Sequence, residues 1–178
     1  MRKYLIQFKP FLIFISTFFA TYITLTFIYK FYLDGFEIND VDGITKIVSR
    51  NVEQLMQLFN ADFIVSKSLS NSWMDVWYNQ KYMTRIIEGC NAVSVMILFV
   101  SFVVAFSGKF KPTSLFILLG IVLIYICNVV RIALLVVLIY SFPEYAHFLH
   151  GVFFPLMIYG MVFGLWVVWI NKFSKYAR

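Results

Sequence analysis

Long unbroken apolar runs dominate the chain. They extend from Phe11 to Tyr29, Cys90 to Phe106, Leu115 to Tyr140 and Val152 to Ile170. A bilayer core of roughly 30 Å takes roughly 17 to 25 helical residues to cross. The pattern therefore predicts four transmembrane helices, over residues 10–33, 90–106, 115–140 and 150–170, the second at the short end of that range. The first run follows Arg2 and Lys3. It is longer than a signal-peptide core of about 7 to 15 residues and shows no clear A-x-A cleavage site, so it is expected to persist as a helix.

Two shorter patterns lie between the first and second runs. Ile44, Ile47, Val48, Val52, Leu55, Met56 and Phe59 recur at spacings of three and four, which predicts an amphipathic helix over 41–60. Asp40 or Asp42 can cap its start. Its polar face carries little basic charge, so packing onto the ends of the spans is expected rather than binding to lipid headgroups. Residues 73–88 are rich in β-prone types, among them Trp73, Val76, Trp77, Tyr78, Tyr82 and Ile86. They make a candidate β-hairpin turning at Asn79-Gln80, although no glycine follows Asn79 to strengthen the turn. The expected fold is an all-α polytopic membrane protein with about four transmembrane helices. A small outer segment would hold the amphipathic helix and the hairpin.

Composition agrees with that frame. Of 178 residues, 61% are hydrophobic and only 13% charged, against about 25% charged in soluble domains. The net charge of +6 forms no basic patch with interleaved aromatics, so nucleic acid is not an expected partner; the lipid bilayer is. Arg2, Lys3, Lys9, Lys109, Lys111, Lys172, Lys175 and Arg178 fall on one side of a four-helix layout with no acidic residue among them. The positive-inside bias then makes both termini cytoplasmic. Residues 34–89 and 141–149 are then expected outside, and 107–114 and 171–178 in the cytoplasm. The whole chain, 1–178, reads as a single membrane domain. Two cysteines make no disulfide framework and no C-x-x-C motif. No phosphate-binding glycine loop, H-E-x-x-H motif or other metal set is present, so no cofactor and no metal are expected.

The same layout gathers three reactive side chains. Cys90 opens the second span and His150 the fourth, both from the outer side. Arg131 lies sixteen residues beyond Leu115, about 24 Å up the third span, and so near the same interface. A lone cysteine is ordinarily a small buried hydrophobe, but Glu88 and Gly89 beside Cys90 favour exposure. An arginine inside a span costs roughly 2.5 to 3.5 kcal/mol on insertion scales and is a functional candidate by default; its other reading is snorkelling to headgroups. Asn128 stands one turn before Arg131 and can orient it. His147 competes with His150. Together the three make a chemical set: a thiol nucleophile, a cation that stabilises its thiolate or an oxyanion, and an acid–base group for the leaving amine. Cys127, about 18 Å up the third span, is expected to pack rather than react.

Three short blocks then resemble the exosortase/archaeosortase family, and in length the short XrtF-type exosortases. Glu88-Gly89-Cys90-Asn91-Ala92 is similar to the family's E-x-C block, Asn128-Val129-Val130-Arg131-Ile132 to its N-x-x-R-I block, and His150-Gly151-Val152-Phe153-Phe154-Pro155 to its histidine-led final span. The resemblance covers roughly residues 75–170. It implies a membrane-embedded cysteine protease or transpeptidase, with Cys90 as nucleophile, Arg131 as the essential arginine and His150 as acid–base group. The implied partners are exported proteins with a C-terminal sorting signal made of a short motif, a membrane helix and a basic tail. Many members carry Ser-Gly where this chain has Asn91-Ala92, and many have eight spans. The competing reading is a non-enzymatic membrane assembly or transport subunit that uses Arg131 to recognise a lipid or partner.

Overall fold

The computed structural model describes residues 8–37, 39–106 and 108–173. The charges Arg2, Lys3, Lys175 and Arg178, on which part of the orientation rests, lie outside the described residues. The described residues form five principal helices and a small sheet: α1 (Lys9–Leu33), α2 (Gly43–Leu58), β1 (Phe63–Lys67), β2 (Met74–Tyr78), β3 (Lys81–Ile86), α3 (Val93–Ala105), α4 (Phe110–Ser141) and α5 (Phe154–Lys172). Short helical turns at Pro143–Tyr145, Ala146–Phe148 and Leu149–Phe153 lead into α5. The chain is a polytopic membrane protein. Three segments, Lys9–Leu33, Phe110–Ser141 and Pro143–Lys172, are long and apolar enough to cross a bilayer. The second apolar run, expected to span over 90–106, forms a helix over Val93–Ala105 alone, about 20 Å long. It starts late because Ala92 takes a left-handed conformation, φ 65°, which no α-helix continues through.

α4 organises the molecule because it is long enough to enter two cores. Near its start, Ile124 joins Phe99 and Val103 of α3 and Val162 and Trp169 of α5 in one buried cluster. Gly120 makes the approach of α3 possible: a Cβ there would stand 2.3 Å from the Phe99 ring. α1 packs on α3, with Phe14 against Phe102 and Phe106. No residue of α1 is buried in the chain itself, as expected of a helix whose remaining faces meet lipid.

Near its other end α4 leaves the bundle and becomes one wall of an α/β unit. Val129, Ile132, Ala133 and Val136 pack with Val48, Val52 and Met56 of α2 and with Phe63, Val76 and Ile86 from the three strands. Each such side chain removed from water contributes roughly 1.5 to 3 kcal/mol. α2 therefore packs inward through Val48, Val52 and Met56, whereas Ile47 and Phe59 of the expected stripe stand exposed. Asp42 is the cap, its carboxylate accepting from the Thr45 N–H at 2.9 Å. Asp40 instead holds Lys46 at 3.0 Å and Lys67 at 2.8 Å, tying α2 to β1.

The sheet is antiparallel, ordered β1-β2-β3. β2 and β3 are the expected hairpin. Asn79 and Gln80 both have positive φ, 48° and 59°, the geometry that matches the twist of a two-residue hairpin even without glycine. β1 was not anticipated. Its alternation is short, with Phe63 buried, Ile64 exposed and Val65 half-buried before Ser66 and Lys67 end it, and two inward residues give too little period to register.

Candidate functional site

The turn Glu88–Cys90 is a single 3-10 turn between β3 and α3. Cys90 N–H donates to the Ile87 carbonyl at 2.9 Å and Asn91 N–H to that of Glu88 at 3.1 Å. Cys90 thus sits on a tight turn before α3 rather than in its first helical turn. Its side chain is half-buried, against the cluster that α4 shares with α2 and the sheet.

Two asparagines hold this turn. Asn128 of α4 is fully buried, and its Nδ2 donates to the Cys90 carbonyl at 2.8 Å. Its Oδ1 accepts from Arg131 Nη1 at 3.3 Å. Arg131, Asn128 and the main chain of Cys90 therefore form one connected chain of hydrogen bonds. The Arg131 Nε is buried and has no protein partner among the described residues, so part of the guanidinium's donor capacity is unused. Asn91 holds the turn from the other side. Its Nδ2 donates to the Tyr29 hydroxyl at 2.8 Å and the Thr45 hydroxyl at 3.3 Å, and its Oδ1 accepts from Val93 N–H at 2.9 Å. The last bond satisfies one of the N–H groups that open α3. Glu88 faces the same Tyr29 hydroxyl. A second polar tie, Asn51 Nδ2 to the Tyr125 hydroxyl at 2.6 Å, joins α2 to α4 one turn before Asn128.

The histidines are placed differently. His150 lies in Leu149–Phe153, a single wide π-type turn. Pro155 explains the defect, since it offers no N–H to the Gly151 carbonyl four residues earlier, and such turns are frequent at functional sites. His150 and His147 are both exposed, and neither imidazole has a hydrogen bond among the described residues. The structure joins Cys90, Asn128 and Arg131 by hydrogen bonds and, among the described residues, leaves both histidines unbonded. Cys127 is half-buried and free, as is Cys90.

A family model for transmembrane exosortases matches residues 11–168. The chain belongs to the transmembrane exosortase family. No curated protein and no solved structure matches it. Membership carries a membrane transpeptidase-type role in general terms. At position 92 the backbone takes φ 65°, which glycine adopts freely and alanine only at a cost of roughly 1 to 2 kcal/mol.

Sequence reasoning missed Tyr29, Thr45 and Asn91. Asn91 carried a signal, as a polar residue between the thiol and an apolar run. Tyr29 and Thr45 carried none, because nothing along the chain says that α1 and α2 meet at the Cys90 turn.

Proposed function

We propose that this exosortase cleaves C-terminal sorting signals of exported proteins through a thioester on Cys90. The site lies at the periplasmic face of a bacterial inner membrane, with both termini cytoplasmic. The layout behind this is one domain with spans near residues 10–33, 90–106, 115–140 and 150–170. The Cys90 thiolate attacks the scissile carbonyl and forms a C–S bond. The tetrahedral oxyanion faces the Arg131 guanidinium, whose fork is oriented by Asn128. His150 gives its proton to the departing amine as the C–N bond breaks. An incoming amine, or water, then attacks the thioester; His150 takes the proton from it and the thiolate leaves. Glu88 and Asn128 support the turn, and His147 is the alternative acid–base group.

The hydrogen-bond chain from Arg131 through Asn128 to Cys90 carries this reading. An arginine kept only for headgroups or a partner helix would have no need to be tied to a cysteine thirty-eight residues away along the chain. The test is Cys90→Ser beside Cys127→Ser in living cells, with exported proteins weighed by mass spectrometry. Cys90→Ser is expected to slow processing by on the order of 10³-fold or more, so that proteins retaining their C-terminal tails accumulate. Cys127→Ser is expected to process normally. Unchanged processing in both variants would leave the chain as an assembly or transport subunit.

A further inference from the structure

The two edges of the sheet are not equivalent. The Ser68 N–H bonds the Trp73 carbonyl at 3.1 Å and the Asn79 N–H that of Asp62 at 2.9 Å. With the register Phe63↔Tyr78 to Lys67↔Met74, these bonds turn the backbone groups of Ile64 and Ser66 toward β2 and those of Val65 outward. That outward N–H is already taken: it donates to the Glu53 carboxylate of α2 at 2.9 Å. The β1 edge is thus closed by the protein itself.

The β3 edge is open. The register Met74↔Ile86 and Val76↔Thr84 turns Thr84 and Ile86 toward β2 and leaves Arg85 facing away, while Met83 sits at the bulge where the register shifts opposite Val76 and Trp77. Among the described residues the outward N–H and C=O groups of Arg85 have no hydrogen-bond partner. Ile87 continues the extended backbone, φ −105° and ψ 171°, straight into the Glu88–Cys90 turn. An unpaired strand edge therefore ends at the thiol.

We infer that the β3 edge, from Arg85 to Ile87, pairs in β-strand fashion with the extended backbone of the exported protein just beside its cleavage point. The inference rests on the reading of Cys90 as nucleophile. The chemistry of the edge selects the occupant. N–H and C=O groups repeating about every 6.8 Å match an extended peptide and not an acyl chain or a headgroup. A second copy of this chain is disfavoured, because Lys81 and Arg85 are exposed on the strand and would face their like in edge-to-edge pairing. The Arg85 guanidinium is held over the Trp73 ring, 4.5 Å from its centroid, and so does not fold across the edge. Pairing here fixes the peptide's register relative to Cys90 through main-chain bonds, which leaves the recognition motif to side-chain contacts.

The experiment uses the full chain and, as probe, a tail-bearing exported protein that accumulates in Cys90→Ser cells. Arg85→Pro deletes one outward N–H while sparing the β2–β3 ladder; Arg85→Ala keeps that N–H. Arg85→Pro is expected to lower processing on the order of tenfold, since a substrate carbonyl loses its donor, with the alkylation rate of Cys90 unchanged. Arg85→Ala is expected to stay near wild type. Normal processing by Arg85→Pro, or an equal loss in Arg85→Ala, overturns the inference. Should Arg85→Pro also alter alkylation, amide exchange on Cys90→Ala decides: adding the probe is expected to protect the Arg85 amide. Absence of that protection, or protection that appears with protein concentration and no probe, overturns it. Processing that survives in Cys90→Ala would remove the nucleophile reading, whereas edge protection is read from binding alone.

Discussion

The turn that carries Cys90 and the turn that carries His150 are built by opposite means. Cys90 stands on a turn clamped from two sides, by Asn128 of α4 and by Asn91 with Tyr29 and Thr45. His150 stands on a turn created by a missing hydrogen bond, exposed, with no side-chain partner. Buried polar groups that are fully paired rigidify their surroundings. A turn with a backbone defect keeps freedom instead. Under the proposed mechanism the difference serves two demands: the thiol and the cation need fixed geometry, while an acid–base group that serves both a leaving and an arriving nucleophile must adapt to each.

That contrast can be broken by mutation, beginning where the largest loss is expected. His150→Ala should slow processing by on the order of 10²- to 10⁴-fold, with His147→Ala near wild type, both followed as tail removal by mass spectrometry. If the His147 variant is the damaged one, the acting imidazole lies one turn earlier and the π-type turn loses its role. Arg131→Lys should cost on the order of 10²-fold, because a point charge cannot keep the Asn128 bond and face the oxyanion with a planar fork. Near-normal turnover would make Arg131 a headgroup anchor.

Asn128→Ala tests the clamp rather than the chemistry. It leaves the Cys90 carbonyl without its donor, and about 1 to 3 kcal/mol of stability is expected to go, read by thermal unfolding in detergent. The rate of Cys90 alkylation should rise in the same variant as the turn loosens. Unchanged stability and unchanged alkylation would show that the turn is held without Asn128.

The smallest effect concerns pH. Lys67, then Lys46, then the Val41 N–H hold the Asp40 carboxyl far below the usual carboxylate range. A depressed folded-state pKa stabilises the fold above the ordinary value near 4, and that contribution fades as pH falls toward the depressed one. Protection of the β1 amides should therefore weaken in wild type below about pH 4. Asp40→Asn should show weaker protection at neutral pH and less change on acidification. Because the pair is exposed, salt should mimic part of the substitution.

Much of the molecule could be read along the chain. Apolar runs announce helices for lipid because the bilayer offers no partner to a free backbone group. The stripe of Val48, Val52 and Met56 announced an inward-facing α2, and Trp73 to Ile86 announced the hairpin. β1 escaped because two inward residues are too few to make a period. Cys90, Asn128, Arg131 and His150 stood out as polar side chains at span ends or inside them, where placement costs energy and so requires a reason.

What the sequence determined by itself was the set of elements and the chemical types brought near one face, since both follow from local periodicity and from the cost of polarity in hydrocarbon. Only the tertiary structure decided which groups touch. Asn91 meeting Tyr29, Asn128 meeting the Cys90 carbonyl, and one sheet edge closed by Glu53 while the other runs open to the thiol all depend on contacts between residues far apart in the chain. Hydrogen bonds of about 3 Å are set by how helices and strands pack in space, and no spacing along a sequence encodes that distance.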